Sequence, residues 1–227
     1  MTLMQRLTRM PAKVSRRGFL AGSGALVLST TIPMRAPKAQ EAAAGPDVPA
    51  FLELHTDGTA RLLSPFIEGG QGVFTTFAQI IGEELDLAPE NFTVTSAPPG
   101  PPYGVMGGFR ITGGSASTRT AYGLMRQLGA SARAMLLQAA AAEWDVDASE
   151  LTTEPGVVVH AASNRRAPYG GLADAAMSLP VPAEVALKDE ADFRWIKTAV
   201  PRLDVYEKST GKAQYAIDVT VEDMLLA

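Results

Sequence analysis

No cysteine occurs among the 227 residues, and histidine occurs only twice. A chain without cysteine forms no disulfides, binds no thiolate-ligated iron–sulfur cluster and offers no sulfur ligand to zinc. His55 and His160 lie far apart in strand-like runs, and neither has a second ligand at helical spacing. We therefore predict structural roles for both histidines and no metal ion held by side chains of this chain.

Acidic residues are absent from the first 40 positions, and the same stretch carries seven basic side chains. Arg16 and Arg17 precede a weakly apolar run, residues 21–32, that is too short and too glycine-rich to span a bilayer. Adjacent arginines followed by Phe-Leu resemble a twin-arginine export signal. The pattern predicts a signal peptide over residues 1–39, outside the fold, followed by a linker over residues 40–49.

The predicted signal bears on location and partners. Because the twin-arginine machinery moves folded proteins, a cofactor can be inserted in the cytoplasm before export. We therefore expect a cofactor-loaded or complexed periplasmic protein that has the export machinery as one partner, and any association with the membrane is expected through a further partner. Basic residues are scarce beyond the signal, since residues 40–227 carry 13 of them against 24 acidic residues. That balance argues against a nucleic-acid partner.

The longest helical pattern ends at Trp144 and begins after a glycine-serine turn, residues 112–117. Apolar residues recur three and four positions apart along it, which predicts an amphipathic helix. Ser115 or Ser117 suits the N-cap, and the preceding glycines let the backbone approach a ligand at the positive end of the helix. A phosphate fits that position, although the same turn is also typical of a simple helix cap.

A second glycine-rich turn, residues 68–72, leads into another amphipathic helix that ends near Leu85. Neither turn matches the dinucleotide fingerprint G-x-G-x-x-G or a P-loop. Two turns of this kind predict two clamps on one extended, phosphate-bearing ligand. Gln71 offers amide donors and acceptors from a loop with little side-chain bulk, and the alternative is that it is an ordinary polar turn residue.

Short alternating segments accompany the helices and predict an α/β (α+β) fold. Asp57 and Gly58 form a strong hairpin signal between two of them. The predicted elements besides the two helices are a hairpin over residues 51–55 and 60–64, a strand over 92–96, a hairpin over 151–153 and 157–160, a short helix over 169–179 and a strand over 215–219.

Charged residues near the turns and on the helices have several interpretations. Arg110 is placed either to reach a phosphate or to lie solvated in its loop. Arginines recur every seven residues on the long helix as a solvated face, and only Arg119 lies near the proposed anion site. Glu83 and Glu84 have no nearby histidine or second acid, so we predict surface charge rather than acid–base chemistry. The small residues around Gly129 predict close packing against another element.

Several separated motifs resemble one known family in their order and spacing. They are residues 68–75, 83–85, 112–119, 140–144, 169–173 and 208–215. Together they resemble the large molybdopterin-binding subunit of isoquinoline 1-oxidoreductase and membrane-bound aldehyde dehydrogenases, in the xanthine oxidase family. The resemblance covers nearly all of the chain beyond the predicted signal.

The resemblance implies a subunit of a molybdenum hydroxylase that binds molybdopterin cytosine dinucleotide and oxidises N-heteroaromatic or aldehyde substrates. Electrons would pass to [2Fe–2S] clusters on a small partner subunit, with a cytochrome c subunit as a further candidate partner. The cofactor contacts implied for this chain are Gly70, Gln71, Gly72, Gly114, Ser115, Ala116 and Ser117.

The resemblance also divides the chain into a molybdopterin-binding domain segment, residues 50–200, and the start of a truncated α/β hammerhead module, residues 201–227. The family's catalytic glutamate, in a Gly-Glu-Pro context, has no counterpart in this sequence. No catalytic residue is therefore assigned, and the fragment alone is expected to be inactive. The alternative function is a non-catalytic periplasmic module that binds a phosphorylated or nucleotide ligand through the same turns.

Overall fold

Two small β-sheets and two packed helices are the main elements of the described chain. The computed structural model describes residues 25–28, 51–100, 103–104 and 110–224. The strands are β1 (Ala25–Leu28), β2 (Leu52–His55), β3 (Ala60–Ser64), β4 (Phe92–Ser96), β5 (Thr152–Glu154), β6 (Val157–His160) and β7 (Arg165–Pro168). The helices are α1 (Val73–Leu85), α2 (Ala116–Trp144), α3 (Tyr169–Met177) and α4 (Val205–Ser209). This mixture confirms the predicted α/β class.

The first sheet has the strand order β1-β2-β3-β4. β2 and β3 form the predicted hairpin, in which Asp57 Oδ1 accepts hydrogen bonds from the N–H and the hydroxyl of Thr59. Gly58 completes the turn at a φ of 83°. β3 and β4 are parallel, and α1 is the crossover between them. The loop that enters α1 therefore starts at the carboxyl end of β3.

The second sheet, β5-β6-β7, is antiparallel and is tied to the end of α1. The N–H of Gly156 donates a hydrogen bond of 2.8 Å to Asp86 O. The fully buried Tyr169, at the start of α3, donates its hydroxyl to Leu85 O at 2.8 Å. The β5–β6 hairpin and α3 confirm predicted elements, whereas β7 was not predicted because its alternating polar residues include no large apolar side chain.

The helices α1 and α2 pack against each other at Gly129, where no side chain separates them. A Cβ at this position would lie 2.4 Å from Ile81 O and 2.9 Å from Glu84 Cβ. The neighbouring Ala130 and Ala132 are also buried. This contact confirms the predicted close packing by small residues. Within the described ranges, no helix combines the length and apolar character needed to cross a bilayer.

Glu83 and Glu84 are fully buried near the end of α1, so the prediction of surface charge is wrong. Glu83 accepts hydrogen bonds of 2.6 to 3.0 Å from the N–H groups of residues 194–196. Glu84 accepts from the Arg126 side chain at 2.7 Å and from the Lys188 N–H at 3.0 Å. A carboxylate stays ionised inside a protein only with such partners. Arg126 is therefore an internal ion-pair residue and not part of a solvated face.

The strand β1 lies inside the region predicted as a signal peptide. It pairs antiparallel with β2, and its Leu26 and Leu28 lie opposite Leu54 and Leu52. Both leucines of β1 are buried. The expectation that the first 40 residues lie outside the fold is therefore wrong for residues 25–28. The rest of the predicted signal and the predicted linker lie outside the described residues, and the signal stays a prediction.

The segment after α4 does not form the strand predicted over residues 215–219. Ala216–Asp218 form a single 3-10 turn there, and the side chains of Ile217 and Val221 are mostly exposed. An alternating pattern becomes a strand only where a neighbouring strand accepts its hydrogen bonds. The assignment of residues 201–227 to a second module stays a prediction.

We expect Gly129→Ala to lower the free energy of unfolding by about 1–3 kcal/mol, the usual effect of an extra methyl group in a packed core. The new Cβ would overlap Ile81 O, so α1 and α2 would have to separate. Urea unfolding followed by circular dichroism measures the change.

Gly123→Ala on the same helix is the matched control, since a Cβ there meets no atom within 4 Å in the part of the chain that the structure describes. It should stabilise the protein by about 0.5–1 kcal/mol, because alanine restricts the unfolded chain more than glycine does. Equal stabilities of the two variants would contradict the packing described at Gly129.

Candidate functional site

One cavity lies between the two glycine-rich turns. The first loop, residues 67–72, precedes α1, and the second loop, residues 112–115, precedes α2. The cavity has a volume of about 550 Å³. Its lining residues are Ile67, Gly69, Gln71, Thr112, Gly113, Ser115 and Ser117. The two turns that the sequence predicts to clamp one ligand therefore face the same space.

The two loops are joined directly, and their helices run in the same direction. The N–H of Ile67 donates a hydrogen bond of 2.9 Å to Thr112 Oγ1. Further along both helices, Gly129 of α2 meets Ile81 of α1. Both helices consequently point their N-terminal ends at the cavity, where the helix dipoles place partial positive charge.

Glu68 closes the N-terminal end of α1. Its Oε1 accepts hydrogen bonds from the N–H groups of Gly70 and Gly72 at 2.8 and 2.9 Å, and its Oε2 accepts from the N–H of Phe74 at 3.1 Å. Gly70 and Gly72 reach this geometry at φ angles of 106° and 84°, which other residues rarely adopt. The amides of the first loop thus bind the carboxylate of Glu68. The sequence had predicted that this loop would bind an anionic ligand instead.

The pKa of Glu68 reflects opposing effects. Burial raises this pKa, whereas the N–H groups of Gly72, Phe74 and Gly70 and the nearby Arg202 guanidinium lower it. The lowering effects prevail, so the pKa of Glu68 lies below its ordinary value of 4.5 and the carboxylate is ionised at neutral pH. Its charge offsets the positive end of α1.

Gln71 is hydrogen-bonded within its own loop. Its Oε1 accepts from the N–H of Gly69 at 2.6 Å, and its Nε2 donates to Ile67 O at 2.7 Å. The side chain is nevertheless exposed on the wall of the cavity. An amide has two donors and two acceptor positions, so Gln71 keeps hydrogen-bonding capacity for a ligand beyond these two bonds.

The second loop leaves the start of α2 open. Gly114 and Ser115 adopt left-handed conformations at φ angles of 59° and 54°, and Ser115 occupies the N-cap position. No side chain in the described part of the chain caps this helix, so neither serine hydroxyl serves as the predicted cap. Ser115 and Ser117 line the cavity instead. The uncapped first turn of α2 is the part of the site best suited to an anion.

The two arginines considered for phosphate binding differ in their availability. The Nε of Arg110 donates to Pro65 O at 3.1 Å, and its Nη1 donates to Ala97 O and Pro98 O at 2.8 Å each. Arg110 therefore braces the backbone and is not directed at the cavity. Arg119 lies in the early part of α2, is exposed, and forms no hydrogen bond or ion pair with other described residues.

Arg202 joins the C-terminal segment to the first loop. Its Nη1 donates to Gly70 O at 2.8 Å, and its Nη2 lies 3.5 Å from Glu68 Oε1. The same guanidinium donates two hydrogen bonds of 2.8 Å to Asp204, and this contact lowers the pKa of the Asp204 carboxyl. The first loop is therefore held from the outside by residues more than 130 positions away.

Three of the seven predicted cofactor-binding residues share the wall of the cavity, and they are Gln71, Ser115 and Ser117. Gly70 borders a separate cavity of about 830 Å³ toward the C-terminal segment. The other three form the turns themselves, and they are Gly72, Gly114 and Ala116. The structure thus brings the two predicted turns together, and the binding roles of the seven residues stay predictions.

Glu68 and Thr112 are the site residues that the sequence did not reveal. An acid directly before a glycine turn at a helix start is typical of a carboxylate that binds first-turn amides, so Glu68 carried a readable signal. Thr112 carried none, because its partner Ile67 lies 45 residues away. Among the residues that the structure describes, no group of three or more His, Asp or Glu side chains is arranged to hold a metal ion.

Paired loops, a shared cavity and an uncapped helix start are features of a domain that binds a phosphate-bearing cofactor. The model of the molybdopterin cofactor-binding domain family matches residues 5–221 of this chain. The chain therefore belongs to that family, and the predicted resemblance to molybdopterin-binding subunits of the xanthine oxidase family is confirmed.

Three relatives illustrate the similarity. The chain is 32% identical to the beta subunit of isoquinoline 1-oxidoreductase from Brevundimonas diminuta, over 95% of this chain and 33% of the relative. It is 28% identical to the B subunit of nicotinate dehydrogenase from Pseudomonas putida, over 77% of this chain and 14% of the relative. It is 27% identical to membrane-bound aldehyde dehydrogenase [pyrroloquinoline-quinone] of Gluconacetobacter polyoxogenes, over 96% of this chain and 29% of the relative. The chain thus spans at most a third of these relatives.

We expect Glu68→Gln to lower the free energy of unfolding at pH 7 by about 1–3 kcal/mol, because three amides and Arg202 lose a charged partner. The folded-state pKa of Glu68 is depressed, so its contribution is complete above pH 4.5 and is lost as the pH falls through the folded pKa. The difference between wild type and variant should therefore shrink below pH 4.5 in urea titrations.

Glu90→Gln is the control, since Glu90 is exposed and its side chain forms no hydrogen bond or ion pair with other described residues, so its substitution should change the free energy of unfolding at pH 7 by less than about 0.5 kcal/mol. A difference between wild type and Glu68→Gln that stays constant from pH 7 to pH 3 would show that the carboxylate does not hold these amides.

Proposed function

We propose that the chain is the cofactor-binding portion of an exported molybdenum hydroxylase that oxidises N-heteroaromatic or aldehyde substrates. Its task is to hold molybdopterin cytosine dinucleotide between the first and second loops. The names of the relatives support these substrate classes, since they refer to isoquinoline, nicotinate and aldehydes.

One observation carries the proposal: the uncapped N-terminal end of α2 opens into the cavity that the first loop borders on its other side. An uncapped first turn presents N–H groups and the positive end of the helix dipole to an anion. The equivalent groups of α1 are bound by Glu68, so α2 is the end available to a phosphate. This asymmetry orients a phosphate-bearing ligand toward the second loop.

The space and the polar groups around the cavity fit a large phosphate-bearing ligand. A Cβ placed at Gly113 or Gly114 meets no atom of the described residues within 4 Å, so a ligand can approach the backbone of the second loop. The hydroxyls of Ser115 and Ser117 supply donors on the same wall. When bound, the cofactor supplies the redox chemistry, and the residues of this chain bind it and fix its orientation.

The charges around the second loop also favour an anion. The carboxylate of Glu68 binds the amides of Gly70, Gly72 and Phe74 and lies near Arg202, and Glu68 is not among the residues that line the cavity. The first turn of α2 contains no acidic residue. Arg119 lies nearby as an exposed cation. A phosphate at the start of α2 would therefore meet an amide-rich and cationic surface even though the chain as a whole is acidic.

The proposal extends to partners and location. A small partner subunit would carry the [2Fe–2S] clusters that accept electrons from the bound cofactor, and the 227 residues of this chain include no cysteine that could ligate such a cluster. A cytochrome c subunit is a candidate acceptor beyond it. The adjacent Arg16 and Arg17 support export of the folded, loaded protein to the periplasm through the twin-arginine machinery.

We expect Ser115→Asp to abolish cofactor retention without loss of stability. Aspartate tolerates the left-handed conformation of position 115, and its negative charge is favoured by the helix dipole, so the helix should gain about 0.3–1 kcal/mol. The same carboxylate would occupy the positive end of α2 and repel a phosphate. Molybdenum content by mass spectrometry, together with cytidine nucleotide released from the purified protein, should fall at least tenfold.

Ser115→Asn is the matched control, because asparagine has the same shape and backbone tolerance without the charge. It should keep most of the molybdenum and nucleotide. Full cofactor content in a folded Ser115→Asp protein would overturn the placement of the phosphate at the start of α2. Molybdenum without any cytidine nucleotide in the wild type would overturn the dinucleotide form alone.

A further inference from the structure

The edge of β2 and the helix α3 form a groove that accepts one strand. α3 packs against both β1 and β2, so it reaches across the strand boundary and covers the strand that lies beyond β2. Its residues Leu172, Ala173 and Ala176 are buried. Without an occupant, the backbone hydrogen-bonding groups on the outer edge of β2 and the part of α3 that packs on β1 would be uncovered.

The occupant of this groove is the segment Ala25–Leu28. Its four residues pair antiparallel with β2, from Ala25 opposite His55 to Leu28 opposite Leu52. Leu26 is 0% exposed and Leu28 is 1% exposed, although the segment is only four residues long. The groove therefore takes a strand with apolar side chains at alternate positions, and this strand supplies two leucines to the core.

The same four residues belong to the apolar run of the predicted export signal. Ala25 lies eight positions after Arg17, within the run of residues 21–32. An export signal is recognised through its arginine pair together with an accessible apolar segment. A leucine buried under α3 cannot be bound by a receptor at the same time, so docking in the groove and presentation of the signal exclude each other.

We propose that the groove between β2 and α3 holds Ala25–Leu28 as a releasable strand and thereby withholds the apolar part of the export signal until the strand detaches. This inference rests on the export step of the proposed function. The docked state is an edge strand of four residue pairs, which is the kind of element that opens locally without unfolding the domain. The amount of exported protein would then depend on how readily this strand leaves the groove.

A disulfide lock tests the proposal, and the absence of native cysteine makes it unambiguous. Val27 and Glu53 are directly opposite in the β1–β2 register. Opposed residues in antiparallel strands have Cα atoms about 4.5–5.5 Å apart, within the range for a disulfide. The pair Val27→Cys and Glu53→Cys should therefore cross-link in the full chain, expressed in cells whose cytoplasm permits disulfide formation.

The matched control is the pair Val27→Cys and Arg61→Cys. Arg61 lies opposite Glu53 on β3, one strand further away, so its Cα should be about 9–10 Å from that of Val27, too far for a disulfide. Both pairs carry the same substitution in the signal and both disrupt the ion pair between Arg61 and Glu53. Only the lock differs between them.

The locked protein should reach the periplasm at least tenfold less than the control pair, and both should be equally folded in the cytoplasm. Two results would overturn the proposal: no cross-link between positions 27 and 53, or export of the locked chain at the level of the control. Substituting lysine for Arg16 and Arg17 in the control pair tests the route itself. If that variant were exported as well as the control pair, export through the twin-arginine route would be refuted, and so would the proposal that the groove withholds the signal. Formation of the cross-link tests separately whether the strand docks in the groove.

Discussion

Two buried carboxylates, Glu83 and Glu84, impose the arrangement of the elements around α1. An ion that loses its hydration must recover comparable interactions inside the protein, and the fold is constrained to supply them. Glu84 accepts hydrogen bonds from both the side chain of Arg126 on α2 and the backbone N–H of Lys188. Glu83 holds the backbone of residues 194–196. Helix α2 and the long C-terminal connection are thus fixed to the same end of α1.

Because that end of α1 is fixed, the opposite ends of both helices are left to form the site. The two N-terminal ends meet at one cavity and yet differ in character. Glu68 satisfies the amides that lead into α1, so the first loop is a rigid wall. No described side chain caps the start of α2, which therefore keeps its capacity for an anion. One rigid wall and one open helix end together specify how an extended phosphate-bearing cofactor would be oriented.

Features that depend on local pattern could be predicted from the sequence, and features that depend on distant partners could not. The hairpin at Asp57 and both amphipathic helices were predictable because their turn residues and apolar spacing lie within a few positions. The burial of Glu83 depends on amides more than 110 residues away, so its sequence neighbours gave a wrong answer. The shared cavity was predictable from two similar turns, whereas the capture of the first loop's amides by Glu68 became evident only in three dimensions.

The direct contact at Gly129 has a mechanical consequence for the site. This crossing lies 13 residues from the first residue of α2, which corresponds to about 20 Å of helix. A rigid rod pivoting there by ~3° would carry the second loop by ~1 Å relative to the first. The bond between Ile67 and Thr112 anchors the free end of this lever. The width of the gap between the loops therefore depends partly on Gly129, which has no side chain and lies about 20 Å along α2 from the second loop.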